Sequence, residues 1–489
     1  MPQRPKAAIK TACAFALMLS GGLLAGCTGG VAEPEVSTPQ PVAGFAGVLA
    51  ADEPRAAVVG REILANNANA ADAAVAMALT MTVTLPSHVG LGGGGACVIH
   101  KREPSRQDAL IFLPENGPPE NDPGANDPGA NGDGPRAVPS LARGLAALHA
   151  RYGLNRWSEL VQPAERLAAF GHEVSRAFRR DLIAARDTLG PVAEDTYMRA
   201  DGTLPEVGDR ITQPALGTAL AGLRQQGASY ALTGSFARNL TDGAQAAGVP
   251  LTLEDLRAQK PRFVEPLALA YGPHRLYLPP APVHAGARAA RAWQARRDAG
   301  GRGGSPATLA RMLGAWGSGG PLGLGENAAG LAVADRFGNV VACGFTLNGR
   351  FGNGRMAGGT GVLLPAPPPP EGAGVNVLPA VVANPNTATG YLGGHGGPDD
   401  AGQAALLQTL ARLEDSFRND DTSTLLETNQ GPIYERVNAA GDSGAKEFLE
   451  SDGTAPLQGL DRLLASARVA PGPEGLRYES GAETALREA

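Results

Sequence analysis

The order of helix-like and strand-like segments along the chain constrains its fold more than any other sequence feature. Apolar residues recur at helical spacing in residues 57–85, in residues 141–187 and in a short helix capped by Thr252. Asn66-Asn67 divides the first of these stretches into two helices. Strand-like stretches are Ala96–His100, Tyr271–Leu278, a hairpin of Gly330–Asp335 with Val340–Leu347, and Gly358–Leu364. Alternation of this kind predicts a layered α/β protein, and the sequence shows no repeat period typical of a solenoid.

Composition and motifs exclude several functional classes. The 489 residues carry 42 basic and 48 acidic side chains, a net charge of -6, which gives no electrostatic footprint for nucleic acid. The glycine-rich loop Gly90–Gly95 lacks the Gly-Lys-Ser/Thr of a phosphate-binding loop, and we expect no cofactor. The seven histidines are scattered without a metal-ligand spacing, and we expect no metal site.

The N-terminus is typical of a bacterial lipoprotein. Three basic residues precede an apolar stretch, about Ala12–Leu24, which is shorter than the roughly 20 residues of a membrane-spanning helix. Leu24-Ala25-Gly26-Cys27 resembles a lipobox, whose cysteine is acylated before cleavage. We therefore expect residues 1–26 to be a signal peptide, Cys27 to carry the lipid and residues 27–43 to form a tether. The body is then anchored to a membrane of the cell envelope and faces the periplasm or the exterior.

Residues 44–489 are predicted to form the body of the protein. Two breaks in the pattern occur within it. Residues 114–135 are of low complexity, with Asn-Asp-Pro-Gly-Ala almost in tandem, and predict a loop. Residues 300–305 are glycine-rich and predict a flexible break between the earlier and later halves of the body.

The chain from about Gly44 to Ala411 resembles the γ-glutamyltransferases, which are N-terminal-nucleophile hydrolases. The resemblance is carried by many short matches in the family's order: Glu53-Pro54, Asn69–Ala74, Gly92–Gly95, Val138-Pro139, Gly144-Leu145, Tyr152-Gly153, Trp157, Pro163-Ala164, Gly208-Asp209, Gln213-Pro214, Leu253–Leu256 and Pro279-Pro280. It implies a four-layer αββα sandwich, with residues 300–305 separating parts that resemble the large and the small subunit.

The resemblance also locates the catalytic position. In this family a threonine, made N-terminal by self-cleavage, attacks the substrate carbonyl with its hydroxyl. It opens a segment of the form Thr-Thr-His-Tyr-Ser-Val-Val-Asp. Val333-Ala334-Asp335 matches the end of this segment, and counting back places Ala328 at the nucleophile position. A methyl group can neither attack a carbonyl nor cleave the preceding peptide bond.

The rest of the family's site is only partly present. The arginine that clamps the substrate carboxylate corresponds to Leu113, the acidic amine anchor falls within Pro367–Glu371, and the serine pair falls at about Pro379-Ala380. Thr346 and Asn348 match residues that support the nucleophile, and Gly396-Gly397 matches the oxyanion pair. For these survivors we favour a structural role over a catalytic one.

Two functions follow from these matches. The first is a non-catalytic envelope lipoprotein that binds an unknown envelope protein or small ligand. The second is a residual or altered hydrolase of γ-glutamyl compounds such as glutathione, or of other amides. That enzyme would need a substitute nucleophile, for which Thr346, Ser318 and Cys343 are the candidates. The segment between Pro280 and Ala328 is also shorter than in the family, which predicts that helices beside the substrate cleft are missing.

Two cysteines remain in the body, Cys97 and Cys343. Each lies on a predicted strand of the central sheets, in a compartment that permits disulfides. The sequence leaves two alternatives open, a disulfide between them or two buried thiols.

Overall fold

The structure, a computed structural model, describes residues 46–116, 137–299, 306–317, 328–368, 377–396 and 400–418, with four short strands between 427 and 478. The predicted signal peptide and tether, the 300–305 break and most of the 114–135 loop lie outside the described residues.

The strands are, in chain order, β1 Gly47–Ala51, β2 Gly94–Lys101, β3 Arg106–Phe112, β4 His172–Glu173, β5 Arg210–Ile211, β6 Arg262–Val264, β7 Leu267–Tyr271, β8 His274–Leu278, β9 Ala328–Asp335, β10 Val340–Thr346, β11 Met356–Ala357, β12 Val362–Leu363, β13 Leu378–Asn384, β14 Thr389–Gly396, β15 Glu427–Thr428, β16 Gly431–Pro432, β17 Val469–Gly472 and β18 Gly475–Tyr478.

The α-helices are α1 Pro54–Ala65, α2 Ala70–Thr84, α3 Leu141–Tyr152, α4 Trp157–Phe170, α5 Arg176–Ala185, α6 Pro191–Tyr197, α7 Pro214–Gln226, α8 Gly234–Ala246, α9 Leu253–Ala258, α10 His284–Asp298, α11 Pro306–Gly317 and α12 Asp400–Arg418. A 3₁₀ helix at Gly227–Ala231 follows α7.

Two antiparallel sheets stack face to face at the centre of the fold. The first has six strands in the order β1-β9-β10-β2-β3-β6, and the second has four in the order β14-β13-β8-β7. Strands β13 and β14 of the second sheet contact β9, β10 and β2 of the first. Helices α2 and α3 cover the outer face of the first sheet, whereas α10 and α12 cover that of the second. The predicted four-layer αββα sandwich is confirmed.

Side chains alternate between two cores along β9 and β10, as the two-residue period of a strand requires. Leu331, Val333 and Phe345 belong to the large core beneath α1–α4. Ala332 and Ala342 face the second sheet. The layer between the sheets is therefore built here from small side chains, which lets the two backbones approach closely.

All 15 residues of helix α2 are buried. Its N-terminus has a capping box, in which the Asn69 side chain accepts from the Asp72 N–H and the Asp72 carboxylate accepts from the Asn69 N–H. The Asp72 carboxylate also accepts from the Leu154 and Asn155 N–H groups, which ties the loop after α3 to α2. Among the described residues, no helix has the length and apolarity to cross a membrane.

Most predicted elements are confirmed, and two were wrong in detail. The 57–85 stretch forms α1 and α2, and Thr252 caps α9 through a capping box. The predicted strand 271–278 is instead the hairpin of β7 and β8, because Gly272 at φ 52° reverses the chain. The predicted strand 358–364 is mostly a turn that contains Gly359 and Gly361 at positive φ, and only β12 pairs, with β11.

Candidate functional site

Ala328 is the first residue of β9 and lies opposite Thr346, the last residue of β10. Both face the second sheet, since Ala328 packs in a core with Val377 and Leu378. Ala328 is 1% exposed and Thr346 is 2% exposed. The position expected for a nucleophile therefore carries a buried methyl group, with a threonine hydroxyl on the neighbouring strand.

The polar groups of Thr346 and Asn348 are used in a tight turn after β10. The Thr346 hydroxyl oxygen accepts from the Asn348 N–H at 2.9 Å. Asn348 has φ 59°, a left-handed conformation that asparagine tolerates. Its Nδ2 donates to the carbonyl oxygens of Pro114 at 3.0 Å and Ala366 at 3.1 Å. These contacts hold the loop after β10 against the chain leaving β3.

A histidine from the second sheet lies over the same strand pair. Gly330 on β9 and Gly344 on β10 face each other, two residues along from Ala328 and Thr346. A Cβ on Gly330 would lie 2.1 Å from Cγ of His395, and one on Gly344 would lie 2.7 Å from its Nε2. The imidazole of His395, on β14, therefore occupies the space above both glycines.

His395 is buried without hydrogen bonds from the described residues. Its side chain is 5% exposed, and neither ring nitrogen has a partner there. Burial lowers the pKa of His395, and the nearby Asp52 carboxylate partly opposes this by favouring the charged ring. The ring is thus held neutral within the sandwich.

Asp52, which directly follows β1, binds the backbone of β9. Its Oδ2 accepts from the Gly330 N–H at 2.7 Å, and its own N–H donates to the Gly330 carbonyl at 3.1 Å. Asp52 Oδ2 lies 4.0 Å from Nδ1 of His395, beyond hydrogen-bond distance, and the Asp52 side chain is 46% exposed. The Asp52 carboxylate is thus partly exposed to solvent and lies near the edge of the buried His395 ring.

A second polar cluster supports the loop that follows Asn348. The buried carboxylate of Asp181 accepts from Ser87 Oγ at 2.7 Å and lies 2.9 Å from His88 Nε2. Burial alone would raise the pKa of Asp181, but hydrogen bonds from His88, Ser87 and Arg180 outweigh it and lower that pKa to about 2. Because Phe351 N–H donates to the Ser87 carbonyl, the cluster fixes the far side of this loop.

Cys97 and Cys343 face each other across β2 and β10 and form a disulfide. Both side chains lie in the large core under the helices. The structure therefore contains the disulfide and not two buried thiols. The disulfide also removes Cys343 from the candidate substitute nucleophiles.

Residues 56–295 match the Gamma-glutamyltranspeptidase family. The chain belongs to this family. It is 30% identical over 244 residues to the glutathione hydrolase 5 proenzyme of Rattus norvegicus, an alignment that covers 48% of this chain and 42% of the rat protein. It is 30% identical over 250 residues to glutathione hydrolase 2 of Arabidopsis thaliana, which covers 50% of this chain and 43% of the plant protein. The chain therefore aligns with less than half the length of these relatives.

Solved structures show the same fold. The cephalosporin acylase of Bacillus halodurans matches with a TM-score of 0.60 at 20% identity, over 80% of this chain and 83% of the acylase. The gamma-glutamyltranspeptidase of Helicobacter pylori matches with a TM-score of 0.50 at 23% identity, over 56% of this chain and 82% of that protein. These likenesses establish the architecture and not the chemistry.

The structure places the other positions inferred from the γ-glutamyltranspeptidase family as follows. Leu113, at the clamp position, is a buried apolar residue whose carbonyl accepts from Gln259 Nε2 at 2.9 Å. Gly396 ends β14 and packs against Gln403 of α12. Pro379 pairs with His395 between β13 and β14. Gly397, Ser318 and Cys27 lie outside the described residues, as does the amine-anchor segment from residue 369 on.

The sequence did not identify His395, Asp52 or Asp181 as parts of this region. Their partners lie far away in the chain, and no local pattern pairs residues over such separations. One signal was available. Gly330 and Gly344 are glycines within strands, a pattern that often marks the close approach of another element.

Proposed function

We propose that this protein is a non-catalytic member of the γ-glutamyltranspeptidase family, held to a membrane of the cell envelope by a lipid on Cys27, that binds an envelope protein or a small ligand. The observation that carries the proposal is the buried methyl group of Ala328 at the start of β9. Self-cleavage and acyl transfer both require a hydroxyl at this position.

Three further observations support the loss of catalysis. Leu113 offers no charge to a substrate carboxylate, where a guanidinium would donate two hydrogen bonds. The polar groups of Thr346 and Asn348 bind the local backbone. His395 fills the space between the sheets beside Ala328.

The second candidate is a hydrolase of glutathione-like substrates. It is favoured by the relatives, which are named glutathione hydrolases. Among the proposed substitute nucleophiles in the described residues, Cys343 is disulfide-bonded, and Thr346 is 2% exposed with a hydroxyl oxygen that accepts from the Asn348 N–H. We therefore place this candidate second.

The test is a denaturing gel of the purified mature protein beside assays with a chromogenic γ-glutamyl anilide and with glutathione. We expect one band and no turnover above a heat-denatured control. Two fragments split before Ala328, or turnover that persists through purification to homogeneity, would overturn the proposal and support the hydrolase.

Restoring the hydroxyl should not restore the enzyme. In Ala328→Thr the clamp position is still Leu113, so a substrate carboxylate is not held in an attack geometry, and positioning contributes roughly 7–11 kcal/mol to such reactions. We expect no efficient turnover of the anilide by this variant. Rapid turnover would show that the remaining site is intact and that only the nucleophile was lost.

The lipid anchor is tested by Cys27→Ala. We expect the variant to be released from membranes or to stay unprocessed, because the thiol that takes the lipid is gone. Normal processing with retained membrane association would refute the anchor. Native pull-down from envelope extract, with the Cys27→Ala protein as control, addresses the partner.

A further inference from the structure

Three exposed apolar side chains lie at one end of the sandwich. Val48 on β1 is 63% exposed, Leu154 after α3 is 69% exposed, and Phe337 in the β9–β10 turn is 41% exposed. Single exposed apolar residues are ordinary, whereas larger exposed apolar patches mark interaction sites.

The contacts of α2 bring these three residues to the same end. The Ala70 N–H, in the first turn of α2, donates to the carboxylate of Asp335, which begins the β9–β10 turn. Asp72, also in that turn of α2, accepts from the Leu154 N–H. On the other side, Val48 pairs with Ala334 immediately before the same β9–β10 turn.

Cationic side chains accompany the apolar ones. The Arg336 guanidinium lies 4.8 Å from the centre of the Phe337 ring, and Arg156 is exposed two residues after Leu154. An aromatic ring beside an arginine is a combination suited to the boundary between lipid head groups and acyl chains, where the ring enters the apolar region and the cation binds a phosphate.

The chain enters the described fold at this same end. The Arg336 N–H donates to the carbonyl of Ala46, the first described residue. Cys27 is 19 positions earlier in the sequence. A chain of that length spans at most roughly 65 Å, and a flexible one averages about 25 Å. An acylated Cys27 would therefore keep Ala46 within a short distance of the bilayer.

We infer that this end of the sandwich, made of Ala46, Val48, Leu154, Arg156, Arg336 and Phe337, lies against the surface of an anionic phospholipid bilayer. The inference rests on the proposed anchor at Cys27 and adds the face that the body turns to the lipid. Val48, Leu154 and Phe337 enter the head-group region, while Arg336 and Arg156 bind lipid phosphates.

Phe170 provides a matched control residue. It is 70% exposed but ends α4 near the C-terminus of α2, where Gln213 bonds both the Val83 and the Ala168 carbonyls. Since α2 has 15 residues, its two ends lie roughly 22 Å apart. A probe at Phe170 therefore reports on the opposite end of the same protein.

The experiment uses the mature, full-length lipoprotein reconstituted into vesicles of phosphatidylethanolamine and phosphatidylglycerol. The tryptophan fluorescence of Phe337→Trp is compared with that of Phe170→Trp after the wild-type emission has been subtracted from each. We expect the added emission of Phe337→Trp to shift to the blue and to be lost when the acyl chains are brominated, while that of Phe170→Trp does neither. Adding Val48→Asp and Leu154→Asp to Phe337→Trp should restore much of the lost emission.

The outcomes separate the surface from the anchor. Mass spectrometry of Cys27 and flotation with the vesicles report the anchor alone, and an unmodified Cys27 would remove both proposals. A lipidated protein that floats, but whose Phe337→Trp emission is insensitive to bromine, would overturn the membrane-facing surface and leave the anchor standing. A blue shift without loss on bromination would instead assign this end to contact between copies of the chain.

Discussion

At the scale of single residues, the packing near Ala328 depends on two glycines, Gly330 and Gly344. Neither has a side chain, and the His395 ring uses the space above them. In the family's motif, a histidine stands at the position of Gly330. The structure thus has an imidazole near this position, but it comes from β14 of the opposite sheet instead of β9.

This packing predicts the effect of one added methyl group. Gly330→Ala would place Cβ 2.1 Å from Cγ of His395 and should lower the free energy of unfolding by about 1–3 kcal/mol, the usual cost of overpacking. The double variant with His395→Ala should be more stable than the sum of the two single losses predicts, because the clash is gone. Urea denaturation measures both effects.

The matched control for this variant is Gly314→Ala in α11. A Cβ there would meet no atom within 4 Å, and alanine is the better helix former, so this change should be neutral or stabilise the protein by up to about 1 kcal/mol. If Gly330→Ala behaves like Gly314→Ala, or if the double variant is no more stable than expected from additivity, His395 does not fill this space.

At the scale of elements, the disulfide links β2 to β10 in the middle of the first sheet. The cysteines are 246 positions apart in the chain, so the bond closes a long loop in the unfolded state. It also joins a strand that precedes the 300–305 break to one that follows it. The disulfide therefore adds a second covalent connection between the two halves of the body, beside the chain itself.

The disulfide predicts a thiol count and a stability change. The mature, non-reduced protein should show no free thiol at Cys97 or Cys343 in denaturant. Replacing both cysteines by alanine should lower the free energy of unfolding by about 2–5 kcal/mol, mainly because the unfolded chain regains freedom. Detection of two reactive thiols in the unreduced, denatured protein would contradict the structure.

Local sequence signals predicted the elements that depend on local chemistry. Asn66-Asn67 marked the break between α1 and α2, and Thr252 marked the start of α9. The β7–β8 hairpin was missed because its strands are short and Gly272 resembles a glycine within one strand. Tertiary contacts decide such cases, and the sequence pattern alone does not show them.

Only those residues of the candidate site whose positions follow from counting along a matched segment could be predicted from the sequence. Ala328 follows from its distance to Val333-Ala334-Asp335, and the structure places it opposite Thr346. His395 and Asp52, by contrast, are 343 positions apart in the sequence and meet only when the two sheets stack. The residues that surround the candidate site therefore become visible only in the folded structure.

At the scale of the whole molecule, buried histidines couple stability to pH. Burial lowers the pKa of His100, His172, His274 and His395 below the ordinary value of 6.5. Below about pH 6.5 the unfolded chain binds protons at these positions that the folded chain does not. The free energy of unfolding should therefore fall as the pH decreases through this range, by up to about 1.4 kcal/mol per pH unit for each histidine.

Urea titrations between pH 8 and pH 5 measure this slope. His395→Phe removes one of these buried rings and should reduce the slope. A stability that is constant from pH 7 to pH 5 would show that these rings are not held neutral. At lower pH the carboxylate of Asp181, with a pKa of about 2, adds a second loss of stability as the pH falls below about 4.

The position of His395 also limits which side chains positions 330 and 395 can hold at the same time. A single mutation that placed a histidine at position 330 would force its ring into a volume already occupied, and one that removed His395 would leave a cavity between the sheets. Either single variant is less stable than the present protein. A histidine can occupy position 330 without this clash only if position 395 changes as well, so the two positions form a coupled pair that no single substitution can exchange.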